Sequence, residues 1–206
     1  EYMLTTPEKR AFFDRWAPHY DILLPSVFYQ AVHMRLLDSV QLPAPATVLD
    51  VGCGTGKLLQ RLAVNFPTLR GTGVDYSAAM LRQAQQKSRY RDRLQFLKGD
   101  VVSLPLADAT CDGVFCAISF LHYAEPEPAL RSIRRVLKPG GRFFLADFTP
   151  LRWVSLEPVV THVVPGGVRF YSAEARAALG QAAGLRCERH AYLLGPVLLS
   201  QFVRHD

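Results

Sequence analysis

The sequence predicts an α/β protein, a Rossmann-like, doubly wound sheet of seven mostly parallel strands with helices on both faces. Three observations predict this fold. From Thr47 onward, short β-branched runs alternate with apolar residues at helical spacing, which favours parallel strands joined by helices. A glycine-rich turn separates the first run from its helix. Only the segment 194–196 lies between the last two runs, which permits a hairpin and excludes a helical crossover, so one strand is antiparallel.

Two extra helices are predicted before the first strand. Apolar residues recur at offsets of three and four across residues 7–20, and a second apolar stripe begins after Ser26 and ends before Pro43. Tyr20, in the first of these helices, is a candidate for a lid over a bound cofactor. Packing of its aromatic stripe against the core is the alternative. The same stripe, with its basic neighbours, also suits peripheral contact with an anionic membrane surface.

The remaining elements alternate in order along the chain. The predicted strands are the runs Thr47–Val51, Leu69–Val74, Leu94–Leu97, Gly113–Ile118, Arg142–Ala146, Leu185–Leu193 and Val197–Val203. One predicted helix begins near Leu58. The other predicted helices span Ser77–Ser88, Pro126–Leu137 and Ala173–Ala183.

Length and composition favour a single domain over residues 1–206. The chain has 206 residues, of which 49% are hydrophobic, enough for one core but not for two. We divide it into N-terminal helices with a lid (1–45), a cofactor-binding core (46–149), a substrate cap (150–171), and a last helix with a terminal hairpin (172–206). The segment 150–171 is interpreted as a cap because long irregular segments are often functional; a plain connection is the alternative.

Charge and cysteine usage exclude several classes. A charged fraction of 20% is ordinary for a packed protein and too low for a disordered one. The four cysteines form no Cys-x-x-Cys pair, so neither a metal site nor a disulfide framework is expected, and a cytoplasmic location fits. The net charge of +6 favours anionic partners such as a lipid surface. We expect the basic residues at 131–138 to form a solvated helix face, and the histidines at 19, 33, 190 and 205 to be solvated.

The glycine-rich turn is the strongest local signal for a ligand site. Asp50 ends the first predicted strand, and a Gly-x-Gly-x-Gly pattern follows it. Glycines let a ligand approach the backbone closely and permit positive φ. A dinucleotide-binding turn would read Gly-x-Gly-x-x-Gly, but position 57 is Lys, so the spacing is wrong for NAD. The candidate contacts in this turn are Asp50, Gly52, Cys53, Gly54, Thr55 and Gly56.

Two further carboxylates follow the next two strands. In an open parallel sheet, ligands bind beyond the carboxyl ends of the strands, so these side chains converge on one crevice. Asp75 lies where a carboxylate can accept hydrogen bonds from ribose hydroxyls, and Asp100 where one can meet an adenine amino group. Three carboxylates without a phosphate clamp point to a cationic, adenosine-like ligand, of which S-adenosylmethionine is one.

Several stretches in order match a known family. They are residues 48–56, Gly73-Val74-Asp75-Tyr76-Ser77, Lys98-Gly99-Asp100, and residues 135–142, which read Arg-Val-Leu-Lys-Pro-Gly-Gly-Arg. The chain resembles the class I S-adenosylmethionine-dependent methyltransferases, in particular the ubiquinone and menaquinone C-methyltransferases. Residues 13–21 also resemble the start of bacterial phospholipid N-methyltransferases. Two departures from the quinone enzymes are Ile22 after Tyr20-Asp21, and Asp147-Phe148-Thr149 where those enzymes have Glu-x-Ser.

The resemblance implies roles for individual residues. The glycine turn would hold the methionine part of S-adenosylmethionine, which leaves as S-adenosylhomocysteine, and Asp50 would serve its ammonium group. Asp75 would bind the ribose, and Asp100 the adenine amino group. The flanking contacts implied for adenine are Tyr76, Met80 and Val101. The methyl-donor end would be lined by the segment that starts with Ala117, Ile118 and Ser119.

The predicted function is methyl transfer to a small, hydrophobic or lipid-like molecule, either quinone-like or phospholipid-like. His122 is the best-placed candidate base because it follows the fourth strand and has an unperturbed pKa near neutrality; shaping of the pocket wall is the alternative. The motif of nucleic-acid amine methyltransferases is absent after this strand, so no nucleic-acid partner is expected. Two rival functions remain: a cofactor-binding sensor or inactive partner subunit, and a nicotinamide-dependent oxidoreductase. The oligomeric state is not indicated.

Overall fold

The computed structural model describes residues 24–149, 155–161 and 167–205. The helices in these ranges are α1 Leu24–Leu37, α2 Lys57–Asn65, α3 Ala78–Lys87, α4 Pro126–Val136 and α5 Ala173–Ala182. The strands are β1 Thr47–Val51, β2 Arg70–Asp75, β3 Leu94–Lys98, β4 Cys111–Ala117, β5 Leu137–Phe148, β6 Val159–Thr161, β7 Val168–Phe170, β8 Leu185–Leu194 and β9 Val197–Arg204. A short 3₁₀ helix, Phe120–His122, follows β4. The helix predicted at 7–20 lies outside the described residues.

Seven of these strands form one sheet in the order β3-β2-β1-β4-β5-β9-β8. Neighbouring strands from β3 to β5 are parallel, and β9 is antiparallel to both β5 and β8. The strand order reverses between β1 and β4, which places their carboxyl ends at the crevice where such sheets bind ligands. The predicted α/β fold, with one antiparallel strand in a mostly parallel sheet, is confirmed.

Side chains that alternate along the strands fill two cores, one on each face of the sheet. Val48 of β1 packs with α1, α2 and α3, whereas Leu49 and Val51 pack with α4 and α5. Phe115 and Phe144, on neighbouring strands, stack with their centroids 4.8 Å apart. Because β1 is buried on both faces, its position is fixed, and Asp50 is held rigidly at its carboxyl end.

Strand β5 is longer than the predicted strand Arg142–Ala146. It starts at Leu137, which pairs with Cys111, and the register then skips so that Arg142 pairs with Gly113. The extra residues bulge out of the ladder, and Gly140 supports this irregularity with a φ of +74°. The structure incorporates the Lys-Pro-Gly-Gly sequence as a bulge within the strand.

The described parts of the segment 150–171 contain strands that the sequence did not predict. β6 and β7 pair antiparallel, separate from the main sheet. The hydroxyl of Thr149 donates to the Tyr171 carbonyl at 2.9 Å, and that of Ser172 donates to the Ser155 carbonyl at 2.6 Å. Arg169 of β7 donates to the Tyr123 carbonyl at 3.3 Å, so this strand pair lies against the turn after β4.

Basic residues in the segment 131–138 contact other parts of the protein. Arg135 donates to the carbonyls of Leu104 and Leu106, each at 2.7 Å, and pairs with Asp108. Lys138 pairs with Asp112 at 2.7 Å. These contacts add a structural role to the predicted solvated face. None of the helices in the described ranges has the length and hydropathy needed to cross a membrane.

Candidate functional site

The glycine turn begins where β1 ends and crosses over the end of β2. The N–H groups of Gly52 and Cys53 both donate to the Val74 carbonyl, at 2.8 and 3.1 Å. Gly52, Gly54 and Gly56 all have positive φ, of +69°, +51° and +76°. This backbone conformation favours glycine strongly, which explains the Gly-x-Gly-x-Gly spacing. α2 then starts at Lys57, with its N-terminal N–H groups directed toward the turn.

The carboxylate of Asp75 ties two loops of the crevice together. Oδ2 accepts a hydrogen bond from the Gly54 N–H at 2.7 Å, and Oδ1 accepts one from the Ser77 N–H at 2.8 Å. Asp75 therefore joins the glycine turn to the start of α3. A carboxylate oxygen is also a suitable acceptor for a ligand hydroxyl.

Asp50 is a buried carboxylate with an unsatisfied oxygen. Its side chain is 2% exposed, and Oδ2 has no hydrogen-bond partner within the described part of the chain. Burial, reinforced by the charge of Asp75, raises the pKa of Asp50 well above its usual value. A buried ionised carboxylate is costly unless a donor or cation faces it. The position is suited to a ligand that brings an ammonium group.

A cleft opens in front of Asp50, between the glycine turn and α1. Its lining combines the turn, the start of α2, the end of β4 and one face of α1. These residues are Tyr29, Gln30, His33, Asp50, Gly52, Cys53, Gly54, Thr55, Lys57, Leu58, Ala117 and Ile118. A Cβ added at Gly54 would meet nothing within 4 Å, so this glycine borders open space.

The wall after β4 is held in a strained conformation. Ile118 has a φ of +51°, which is rare for a β-branched residue and costs about 1–3 kcal/mol. Its N–H donates to the Ala146 carbonyl at 2.8 Å. The carboxylate of Asp147 then accepts the Leu121 N–H at 2.9 Å, which anchors the start of the 3₁₀ helix to β5. These contacts fix where the wall faces the cleft.

The structure brings together about half of the predicted site residues in this cleft, namely Asp50, Gly52, Cys53, Gly54, Thr55, Ala117 and Ile118. The predicted residues that are not among its lining residues are Gly56, Asp75, Tyr76, Met80, Asp100, Val101, Ser119 and His122. Met80 is 3% exposed and belongs to the core side of α3. A Cβ at Gly56 would collide with Phe96, so this glycine also serves packing. Tyr20 lies outside the described residues.

The sequence analysis missed the contribution of α1. Tyr29, Gln30 and His33 line the cleft, and the expectation that His33 is solvated is wrong. Burial, with the charges of Arg61 and Lys57, lowers the pKa of His33 to about 3. The signal that could have found this face is the presence of three polar or amphipathic side chains at positions i, i+1 and i+4 of a mostly apolar helix.

Comparison with known proteins identifies the family. The family described as "Methyltransferase domain" matches residues 49–145. The 2-phytyl-1,4-naphtoquinone methyltransferase of Thermosynechococcus vestitus is 34% identical over 152 residues, which cover 72% of this chain and 68% of that relative. The chain belongs to the class I S-adenosylmethionine-dependent methyltransferases.

Two further comparisons agree with this methyltransferase assignment. The demethylmenaquinone methyltransferase of Thermus thermophilus is 34% identical over 142 residues, covering 67% of this chain and 64% of that relative. The 1,6-didemethyltoxoflavin-N1-methyltransferase of Burkholderia thailandensis, solved with S-adenosylhomocysteine, has a TM-score of 0.76 at 21% identity and covers 100% of this chain and 93% of its own. The latter likeness concerns the fold alone.

The residues of this methyltransferase fit the cofactor of its family. Asp50, which lines the cleft, has an unsatisfied oxygen that suits an ammonium group, and a Cβ at Gly54 would meet nothing within 4 Å. A nicotinamide-dependent oxidoreductase, the rival enzyme class, is inconsistent with the family and with Lys57 at the third glycine position.

Proposed function

We propose that this methyltransferase transfers a methyl group from S-adenosylmethionine to a small, lipid-like acceptor of the quinone class. The observation that carries the proposal is the buried, unsatisfied Asp50 carboxylate at the floor of the cleft. The acceptor class rests on the named quinone methyltransferases among the relatives. A phospholipid-like acceptor is the second outcome that the experiment below distinguishes.

The proposed roles are those that the family resemblance implies for these positions. Asp50 faces the ammonium group, and the open face of Gly54 borders the amino-acid end of the cofactor. Asp75 binds the ribose hydroxyls as a hydrogen-bond acceptor. The proposed adenine contacts are Tyr76, Met80, Asp100 and Val101. The proposed wall near the reacting methyl group is Ala117, Ile118 and Ser119, and Tyr20 remains a proposed lid residue.

The cofactor supplies an activated methyl group on a sulfonium, so the protein needs no covalent nucleophile. Its task is to align the acceptor in line with the methyl group and to exclude water. The strained Ile118, fixed through β5, gives this wall a rigid position. We propose His122, half-buried on the 3₁₀ helix, as the base that removes a proton from a carbon or oxygen acceptor.

We also propose that β6 and β7 belong to a cap over the acceptor. The contact of Arg169 with the Tyr123 carbonyl supports this, because it places β7 next to the turn that carries His122. Exposed apolar residues of this segment, Leu156 at 68% and Val160 at 48%, would suit a hydrophobic acceptor or a lipid surface. Peripheral contact with anionic lipid and a cytoplasmic location are part of this proposal.

Calorimetry with S-adenosylmethionine and S-adenosylhomocysteine is the first test, and binding of both is expected. Methyl-labelled cofactor is then incubated with separate quinone and phospholipid extracts, and the products are analysed by mass spectrometry. Label in the quinone fraction supports the proposal, and label in phospholipid alone replaces the acceptor class. Cofactor binding without turnover on either extract would indicate a sensor or an inactive partner subunit. No binding of either cofactor form would overturn the proposal.

A further inference from the structure

The face of α1 that lines the cleft is held by an arginine of the next helix. Arg61 lies one turn beyond Lys57 on α2 and is directed toward α1. Its Nη2 donates to Oε1 of Gln30 at 2.9 Å, and its Nη1 lies 3.5 Å from Nδ1 of His33. One guanidinium therefore contacts two side chains that line the cleft, and Arg61 itself is not among the lining residues.

This contact determines the tautomer of His33. A guanidinium carries only hydrogen-bond donors, so the Nδ1 atom that faces it must be the acceptor. A neutral imidazole with an acceptor at Nδ1 carries its proton on Nε2. The imidazole lines the cleft, and its Nδ1 atom is in contact with Arg61. Nε2–H is the donor that remains for a ligand.

The surroundings keep the ring neutral. Burial is the largest cause of the lowered pKa of His33, and the positive charges of Arg61 and Lys57 add to it. At neutral pH His33 is thus a hydrogen-bond donor and not a cation. Such a donor suits an oxygen with high electron density, such as a carboxylate, a quinone carbonyl or an enolate. Lys57, also in the lining, adds positive potential near His33.

The lining of the cleft therefore combines two kinds of polar group. Asp50 offers an acceptor to a cationic group, whereas His33 offers a donor to an oxygen. We propose that His33 is a ligand-binding residue that donates its Nε2–H to an anionic or carbonyl oxygen in the cleft. In the same proposal, Arg61 is a positioning residue that holds His33 in this tautomer. The inference rests on the proposed function, and the oxygen belongs to either the cofactor carboxylate or the methyl acceptor.

Two matched substitutions separate the two ring nitrogens. His33→Gln places an amide N–H close to the position of Nε2, and His33→Asn places one close to Nδ1. Arg61→Met removes the donors that fix the tautomer. His205→Asn, at an exposed histidine, and Arg70→Met, at an exposed arginine, are the controls. Circular dichroism and thermal unfolding identify any variant that fails to fold, and the His33 pair keeps the test valid if Arg61→Met does not fold.

Calorimetry with S-adenosylhomocysteine and with 5′-methylthioadenosine, which lacks the amino-acid end, forms the first arm. If the oxygen is the cofactor carboxylate, His33→Asn and Arg61→Met weaken the binding of S-adenosylhomocysteine about fivefold or more, the size of one hydrogen bond, and leave methylthioadenosine unchanged. If it belongs to the acceptor, both affinities stay and the KM for the labelled acceptor rises by a similar factor. In either arm His33→Gln retains most of the wild-type value.

Long-range ¹H–¹⁵N NMR of the histidine rings at pH 7 forms a readout that does not depend on any ligand. The wild type is expected to show His33 protonated at Nε2 alone, and Arg61→Met a mixture of tautomers. A wild-type Nδ1–H tautomer, or wild-type constants for His33→Asn in both arms, would overturn the inference. Failure of the wild type to bind S-adenosylhomocysteine would instead count against the proposed function, and the NMR result would still stand.

Discussion

The Gly54 N–H donates to Oδ2 of Asp75 at 2.7 Å, so the residue proposed to bind the ribose also shapes the turn that borders the amino-acid end of the cofactor. A second hydrogen bond, from the Ser77 N–H to Oδ1, extends this connection to α3. The parallel pairing of β1 with β2 explains the contact, because it aligns Asp50 with Gly73 and so brings the two strand ends side by side. Loss of the Asp75 carboxylate should therefore affect both ends of the cofactor site.

We expect Asp75→Ala to weaken the binding of S-adenosylhomocysteine by at least about tenfold, because it removes charge-assisted hydrogen bonds worth about 1.5–3 kcal/mol each. Asp75→Asn keeps one acceptor oxygen and should fall between Ala and the wild type. Calorimetry gives the affinities. Asp92→Asn makes the same charge change at an exposed carboxylate outside the cleft and should bind like the wild type. Wild-type affinity in Asp75→Ala would contradict the assignment.

Substitutions of glycine by alanine should separate the roles of the turn glycines. Gly54 and Gly140 have φ of +51° and +74°, and a Cβ at either meets nothing within 4 Å. Both alanine variants should lose about 1 kcal/mol of unfolding free energy from the backbone conformation alone. Only Gly54→Ala should also weaken cofactor binding, because Gly54 lines the cleft and Gly140 does not. Equal affinities for the two variants would show that the open side of Gly54 does not face the cofactor.

Gly56→Ala should be more destabilising than Gly140→Ala. Both positions have a similar positive φ, but a Cβ at Gly56 would lie 2.7 Å from the Phe96 ring and 3.2 Å from Ala84. The difference in unfolding free energy between the two variants therefore measures the cost of the collision. A methyl group forced into a packed core typically costs about 1–3 kcal/mol. Chemical denaturation measures both. Equal unfolding free energies would indicate that Phe96 moves aside freely.

The sequence could predict the fold and the acidic side of the site for the same physical reason. Parallel strands end at one edge of the sheet, so residues that follow the strands, such as Asp50 and Asp75, converge without any knowledge of side-chain packing. The alternation of strand and helix patterns predicted parallel strands, and the short connection before β9 predicted that one strand is antiparallel. These inferences depend on local patterns and on general rules of sheet geometry.

The α1 side of the cleft could not be predicted in this way. Whether His33 faces solvent or the cleft depends on how α1 packs against α2, and the contact with Arg61 joins residues 28 positions apart on two helices. The role of Gly56 in packing depends likewise on Phe96 of β3, a distant partner in the sequence. Both features follow from tertiary packing that periodicity does not specify.

His122→Asn should lower kcat for methyl transfer about 100-fold or more if His122 is the base, since general-base catalysis contributes about 10²–10⁴. The affinity for S-adenosylhomocysteine should stay unchanged, because His122 does not line the cleft that Asp50 faces. His205→Asn serves as the control at an exposed position. Rates are measured with labelled cofactor between pH 5.5 and about 8.5, the range in which histidine titrates. A wild-type rate for His122→Asn over this range would exclude the base role and favour a packing role.

Asp147 should make the stability of the protein depend on pH in an unusual direction. Burial raises the pKa of Asp147 from 3.8 to about 6, against the opposing effect of Arg176 and of the N–H groups of Leu121 and Phe148. Between these two pH values the folded state binds more protons than the unfolded state. The contribution of Asp147 to the free energy of unfolding therefore decreases as pH rises from about 4 to 6, and by linkage the total loss is on the order of 3 kcal/mol.

Asp147→Asn removes this titration and should show no corresponding loss. The difference in unfolding free energy, wild type minus Asp147→Asn, should fall between pH 4.5 and about 6.5 and then level off. Chemical denaturation at several pH values measures it. The other titratable groups around the carboxyl are Tyr29, Cys116 and Tyr123, whose raised pKa values keep them neutral in this range. Asp92→Asn, at an exposed carboxylate, is the control, and its difference in unfolding free energy from the wild type should stay constant with pH. If the difference for Asp147→Asn is also constant with pH, Asp147 stays ionised in the folded state.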